Sequence, residues 1–267
     1  MAGKKSWPRR ITRYVGWLVG VLALALAVDV SVLAFPQIYM DNKAEAGAVV
    51  VYYDGVQSDE FDRLAGQINN RLSGGRFYES SRADRVFVFR DQSLYEKIVR
   101  LAFLKPTPQG FHLSILGNSY VSATMSRELG IGAEWRPQFS LWDGDLSHLA
   151  AHEIAHGYIS DRIGRGVWNA LPLWKQEGLP EYVANTSLAN VDEVTSLANR
   201  IDVLLDFEEW KAVPQGRRPN WDRTQYEAWL MVEYSLDVEG MTLEQFIDPS
   251  VIEPEVYHRM VEWRQSQ

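Results

Sequence analysis

The chain has 267 residues, 46% of them apolar and 23% charged, and a formal net charge of −8. That length allows one or two domains, and the composition excludes disordered, collagenous and low-complexity architectures. With no cysteine, disulfide scaffolds, thiolate metal sites, iron–sulfur clusters and a cysteine nucleophile are excluded too.

The charge is unevenly spread. Residues 1–13 hold Lys4, Lys5, Arg9, Arg10 and Arg13 and no acid, whereas residues 36–267 hold 22 basic and 34 acidic residues. An acidic body argues against nucleic acid as a partner, because phosphate binding needs a basic face. From Tyr14 to Met40 the only charge is Asp29. As a helix, Tyr14–Phe35 would be ~33 Å long at ~1.5 Å per residue, enough for a hydrocarbon core of ~30 Å. The five preceding positive charges predict a cytoplasmic N-terminus and an exported body, a single-pass protein of the cell membrane. A cleaved signal peptide is the competing expectation, with Ala25-Leu26-Ala27 as a small-residue cleavage site.

Ala48–Tyr53 is a β-rich run closed by the turn signal Asp54-Gly55. Ser58–Leu72 carries Phe61, Leu64, Ala65, Ile68 and Leu72 at helical spacing, with Ser58 as its cap. Arg85–Phe89 reads as a strand, Ser93–Leu104 as a helix and Lys105–Gly110 as a loop. Phe111–Leu116 and Tyr120–Ala123 read as strands around Gly117-Asn118. Beyond Leu141 the pattern turns helical: Asp145–Ile163, Lys175–Leu188, Asp192–Trp210, Arg223–Asp237 and Pro254–Gln265, with Pro214–Pro219 as a polar loop. The sum is an α+β chain: a basic tail over 1–13, an apolar anchor over 14–35, and a body over 36–267. Within the body, an α/β lobe (36–142) precedes a helical lobe (143–267).

The strongest chemical signal is His152-Glu153-Ile154-Ala155-His156. Residues four apart share a helix face, so both imidazoles can bind one ion, and histidine nitrogen suits zinc. Glu153, beside the first of them, is placed to serve as general base. Asp143 and Asp145 are candidate caps for this helix. A catalytic zinc site takes three protein ligands and keeps one position open. With only His112, His148 and His258 left over, a carboxylate is the natural third ligand.

Glu177 stands 21 residues after His156, within Trp174-Lys175-Gln176-Glu177-Gly178-Leu179-Pro180-Glu181-Tyr182. The two segments together resemble the gluzincin zinc metallopeptidases, the group that includes thermolysin and aminopeptidase N. There HExxH is followed by W-x-x-E-G-x-x-E-Y on the next helix. The resemblance covers roughly residues 145–235 and implies a zincin-like fold with one Zn2+ per chain. It implies His152, His156 and Glu177 as ligands and Glu181 as the carboxylate that orients a ligand histidine. It also implies Tyr226, in Tyr226-Glu227-Ala228-Trp229, as the donor to the oxyanion, with Tyr158, Tyr182 and Tyr234 as rivals. Pro180 departs from the family pattern and predicts a helix onset near Gln176–Gly178. The exopeptidase signature G-A-M-E-N is absent, which points to an endopeptidase.

The resulting expectation is a membrane-anchored, exported zinc metallopeptidase acting on peptide or protein substrates, with Glu153 as the base for a zinc-activated water. Two alternatives stand beside it. One is a zinc-binding but catalytically silent cell-envelope interaction module, and the other a metal-free domain that carries the motif by accident. His148, one turn before His152, reads first as an ordinary exposed or capping residue, with an orienting neighbour or a substrate contact as the alternatives.

Overall fold

The computed structural model describes residues 7–56, 59–78, 82–102, 108–123, 146–185, 196–206 and 221–267. The chain is mixed α/β: a five-stranded mixed sheet formed by its first half, followed by helices. Ser58, Asp143, Asp145, Pro214–Pro219 and much of the expected Lys105–Gly110 loop lie outside the described residues, as do the expected helix limits at Leu104, Leu188, Asp192 and Trp210.

The apolar N-terminal segment is a single helix, α1 (Trp7–Ala34), of which Arg13–Ala34 is long and apolar enough to cross a membrane or to act as a signal sequence. A short 3-10 turn (Pro36–Tyr39) leads to β1 (Asn42–Ala46) and β2 (Val49–Tyr53). Then come α2 (Asp59–Ser73), β3 (Asp84–Phe89), α3 (Gln92–Leu101), β4 (Gly110–Leu113) and β5 (Asn118–Ser122). Asp91 caps α3 by accepting from the backbone N–H groups of Ser93 and Leu94, which satisfies donors a helix start leaves open. The sheet order is β1-β2-β3-β5-β4, with β2, β3 and β5 parallel and the outer strands β1 and β4 antiparallel to their neighbours.

The central strands are buried on both faces. Val86 and Val88 enter one core cluster and Phe87 and Phe89 the other, as the two-residue side-chain period of a strand requires. On the first face, α2 packs with α4 (Leu146–Ile163). On the second, α3 and the end of α1 pack around Phe111 and Tyr120, whose rings stack with centroids 4.6 Å apart.

Among the described residues α4 is followed by α5 (Arg165–Ala170), α6 (Leu173–Asn185), α7 (Leu197–Leu205) and α8 (Trp221–Glu233). A π-helical turn (Tyr234–Val238) extends α8, and α9 (Leu243–Phe246) and α10 (Glu253–Gln265) close the chain. Helix α4 is buried on most of its circumference, between the sheet and α6. A helix so enclosed carries apolar residues all round and has little amphipathic signal.

The structure departs from the sequence-based limits in several places. Strand β1 was not expected; its Asn42-Lys43-Ala44-Glu45-Ala46 lacks β-branched and aromatic residues and forms by pairing with β2. The expected strand over Phe111–Leu116 stops at Leu113, where the chain turns into β5. Helix α6 starts at Leu173, directly after Pro172, rather than near Gln176–Gly178, so Pro180 lies inside it. Proline there removes one intrahelical hydrogen bond, and burial of Trp174, Leu179, Tyr182 and Val183 in the core offsets the loss.

Candidate metal centre

Helices α4 and α6 lie side by side, and the site forms where they face each other. On α4, His152 and His156 are one turn apart. On α6, Glu177 and Glu181 are one turn apart. Gly178, next to Glu177, lets α6 approach α8: a Cβ there would come 2.6 Å from the Ala228 carbonyl oxygen. Only a residue without a side chain fits so close to a neighbouring backbone.

Three ligand-type atoms converge. His152 Nε2 and His156 Nε2 are 3.0 Å apart. Glu177 Oε2 lies 3.4 Å from the first and 4.0 Å from the second. For ligands at ~2.0–2.1 Å around a tetrahedral ion, neighbouring donors should be ~3.3 Å apart. The observed triangle brackets that value, and its two nitrogens and one oxygen are a donor set zinc accepts. Gln225, on α8, donates to the same Glu177 Oε2 at 3.0 Å and holds that carboxylate in place.

The orienting layer lies behind His152. Glu181 Oε1 is 3.0 Å from His152 Nδ1, though the ring is not turned to make a linear hydrogen bond with it. Its other oxygen, Oε2, is 2.9 Å from His148 Nε2 and accepts from Asn185 Nδ2 at 3.1 Å. His148 therefore stands behind Glu181 rather than capping the helix. His156 instead packs edge-on against Trp168, with ring centroids 5.6 Å apart.

Charge is concentrated here. Burial pushes the Glu153 carboxyl up to about 8, an effect partly offset by His152 and reinforced by Glu177 and Glu181. Burial works against ionisation of Glu181 and Glu177 as well, but the facing histidines outweigh it and hold both below the ordinary carboxylate range. Burial would lower His152, yet Glu181, Glu177 and Glu153 hold it well above its usual value. His156 is driven down to about 3, first by burial and then by His152. Glu153, Glu177 and Glu181 thus crowd around the two histidines, and a dication held there would favour the ionised carboxylates.

Glu153 sits against the sheet. A Cβ at Gly110, the first residue of β4, would come 2.9 Å from Glu153 Oε1. The last strand of the sheet therefore passes the carboxyl with bare backbone. His112, two residues on, pairs through Nδ1 with Ser119 Oγ at 2.9 Å, while its buried Nε2 has no partner among the described residues.

The structure thus brings together His152, Glu153, His156, Glu177 and Glu181. It places Tyr226 elsewhere: the hydroxyl is buried and donates to the Arg200 carbonyl at 3.2 Å. Of its rivals, Tyr158 donates to Asp84 and Tyr182 to Asp237. Gln225 and Asn185 escaped the sequence reading. Gln225 meets Glu177 from another helix, which a single sequence does not reveal, whereas Asn185 lies one turn after Glu181 on α6, a spacing that could have found it. No protein-family model matches the chain, and no curated protein is significantly similar to it.

Proposed function

We propose that the chain is a membrane-anchored zinc metallopeptidase of the gluzincin type, cleaving internal peptide bonds. The observation that carries this reading is the 3.0, 3.4 and 4.0 Å triangle of His152 Nε2, His156 Nε2 and Glu177 Oε2, with the Glu153 carboxyl beside it. Those three residues would hold the ion. Zinc bound there supplies a Lewis acid that acidifies water and polarises a carbonyl.

Glu153 takes the proton of the attacking water and returns it to the departing amine nitrogen. Without an ion, burial pushes the Glu153 carboxyl up to about 8; a dication in the site would favour its carboxylate form, which is the form that accepts the proton. Glu181 and Gln225 hold His152 and Glu177 in place from behind. An extended substrate could add to the outer edge of β4, the last strand of the sheet, which passes close to Glu153 at Gly110. No oxyanion role is assigned to Tyr226, because its hydroxyl is engaged with Arg200.

The five N-terminal positive charges orient α1 with its start in the cytoplasm and the body outside. Two features support an uncleaved anchor. The helix runs unbroken through Ala25–Ala27, and its last turn is built into the body, with Leu33 buried and its carbonyl accepting from Asn118 Nδ2 at 3.1 Å. For the same reason the full chain, in detergent, is the material to test.

Elemental analysis should find about one zinc per chain. Glu153→Gln should keep that zinc and lose hydrolysis of a peptide library by orders of magnitude. A chain that takes up no zinc overturns the reading. A zinc-loaded chain in which wild type and Glu153→Gln are indistinguishable overturns the enzyme and leaves a zinc-binding module.

A further inference from the structure

The end of α1 is part of the folded body. Among its last residues the less exposed ones are Asp29, Val32, Leu33 and Ala34, of which Asp29, Val32 and Leu33 lie at helical spacing along one stripe. Leu33 lies in the core cluster with Phe87, Phe111 and Tyr120, and Val32 packs against it. The last carbonyls of a helix have no partner within it. Here those of Leu33 and Ala34 accept from Asn118 Nδ2 at 3.1 and 3.4 Å, and that of Leu33 also from the Tyr120 hydroxyl. The helix is therefore clamped to β5, with no flexible tether between them.

The helix leaves little length to spare. From Arg13, its last basic residue, a ~30 Å hydrocarbon core consumes ~20 residues and ends near Leu33. Leu33 is already buried in the body, so no spacer separates the body from lipid. Asp29 falls on the stripe that faces the body, which spares it a lipid-facing position.

At this junction the body carries large apolar side chains that the fold leaves uncovered. Phe35 is 55%, Ile38 68% and Tyr39 41% exposed, directly after the helix, and Ile115 is 81% exposed. Ile115 lies in the β4–β5 turn, between Leu113 and Leu116, which pack against the same cluster as Leu33.

We infer that this rim (Phe35, Ile38, Tyr39 and Ile115) is a lipid-binding surface, so that the body rests on the bilayer instead of hanging from a leash. The inference rests on the reading of α1 as a membrane span. Apolar side chains with an aromatic among them, at the point where a span leaves the membrane, suit the headgroup boundary. Strand β4 links this surface to the candidate centre: Leu113 adjoins the clamp, and Gly110, ~10 Å along the strand, adjoins Glu153. Seated this way, the centre lies on the order of 20 Å from the lipid and faces peptide segments close to the membrane surface.

The absence of cysteine in the natural chain makes the test direct. The full chain carrying a single Ile115→Cys, Ile38→Cys, Leu22→Cys or Gln265→Cys is labelled with an environment-sensitive fluorophore. Each is reconstituted into phosphatidylcholine vesicles containing nitroxide lipids that quench at shallow or at deep positions. Leu22 reports the span, and Gln265, at the exposed end of α10 on the other side of the sheet, reports the remote surface. The Ile115 and Ile38 labels should be quenched several-fold more than the Gln265 label by the shallow nitroxide, and the Leu22 label by the deep one. If Ile115 and Ile38 are quenched no more than Gln265 while Leu22 is quenched, the body stands off the bilayer and the inference fails with the span intact. If Leu22 is not quenched either, the membrane reading fails and takes the inference with it.

Discussion

Helix α4 carries two buried polar clusters, and they differ in kind. Near its C-terminal end, Tyr158 donates to Asp84 at the start of β3, and Arg82 lies 3.0 Å from the other oxygen of Asp84. The same guanidinium reaches Asp161 at 2.7 Å and covers the Tyr158 ring. One cation, Arg82, bridges two carboxylates, each carboxylate has a partner, and the cluster pins the sheet to the helix. In the middle of α4, His148, His152, Glu153 and His156 face Glu177 and Glu181, and three carboxylates share one buried volume. Of these, Glu177 converges through Oε2 on His152 Nε2 and His156 Nε2, while Glu181 stands behind His152. Buried charge by itself therefore does not mark a site; convergence of ligand-type atoms that lack a matching cation does.

The sharpest test of that contrast is removal of a ligand. Glu177→Ala should abolish stoichiometric zinc in elemental analysis, and His156→Ala should do the same. Retention of one zinc per chain in both variants would erase the distinction between the clusters. Next in size is Glu181→Gln, which keeps the shape but loses the charge behind His152. Competition with a chromophoric chelator should show zinc affinity reduced roughly 10–100-fold, as for other carboxylates that orient ligand histidines.

Asp84→Asn probes the opposite cluster and should leave zinc at one per chain. Its effect is on stability and depends on pH. Burial pushes the Asp84 carboxyl up to about 6 from its ordinary 3.8, against the pull of Tyr158 and Arg82. A carboxyl raised in the folded state stabilises most below about 3.8, and that contribution is lost as pH rises through about 6. Asparagine does not titrate. The Tm of the variant, measured relative to wild type, should therefore rise between pH 4 and pH 8. A constant difference across that range would place the titration elsewhere. The smallest effect is expected from Gln225→Ala. It removes one neutral donor to Glu177 and should weaken zinc by roughly tenfold or less, with the fold unchanged by circular dichroism.

Much of this was legible in the sequence, where a short stretch carries its own periodicity. Val49–Tyr53 and Val86–Phe89 are runs of β-branched and aromatic residues, and they lie in strands. Phe61, Leu64, Ala65, Ile68 and Leu72 mark one helix face, and all are buried. The HExxH spacing and the Glu177–Glu181 spacing each place two residues on one face within a single helix. Less was legible where a partner decides. Strand β1 exists by pairing with β2. The start of α6 is set by Pro172 and by core packing that tolerates Pro180. The π-helical turn after Glu233 has no periodicity of its own to announce it.

The sequence alone determined the His152–His156 pair, the candidate base between them and the apolar N-terminal helix, because each is a matter of residue type at a fixed local spacing; Glu177 and Glu181 came from the resemblance of their segment to a family pattern. Only the tertiary structure decided which side chains stand behind them. Gln225 meets Glu177 across 48 positions in the chain, and His148 meets Glu181 across 33. It likewise turned the Tyr226 hydroxyl toward Arg200 and locked the end of α1 onto β5. Contacts of this kind depend on how helices and strands pack, and no local pattern encodes the distance between two elements until a shared core has brought them together.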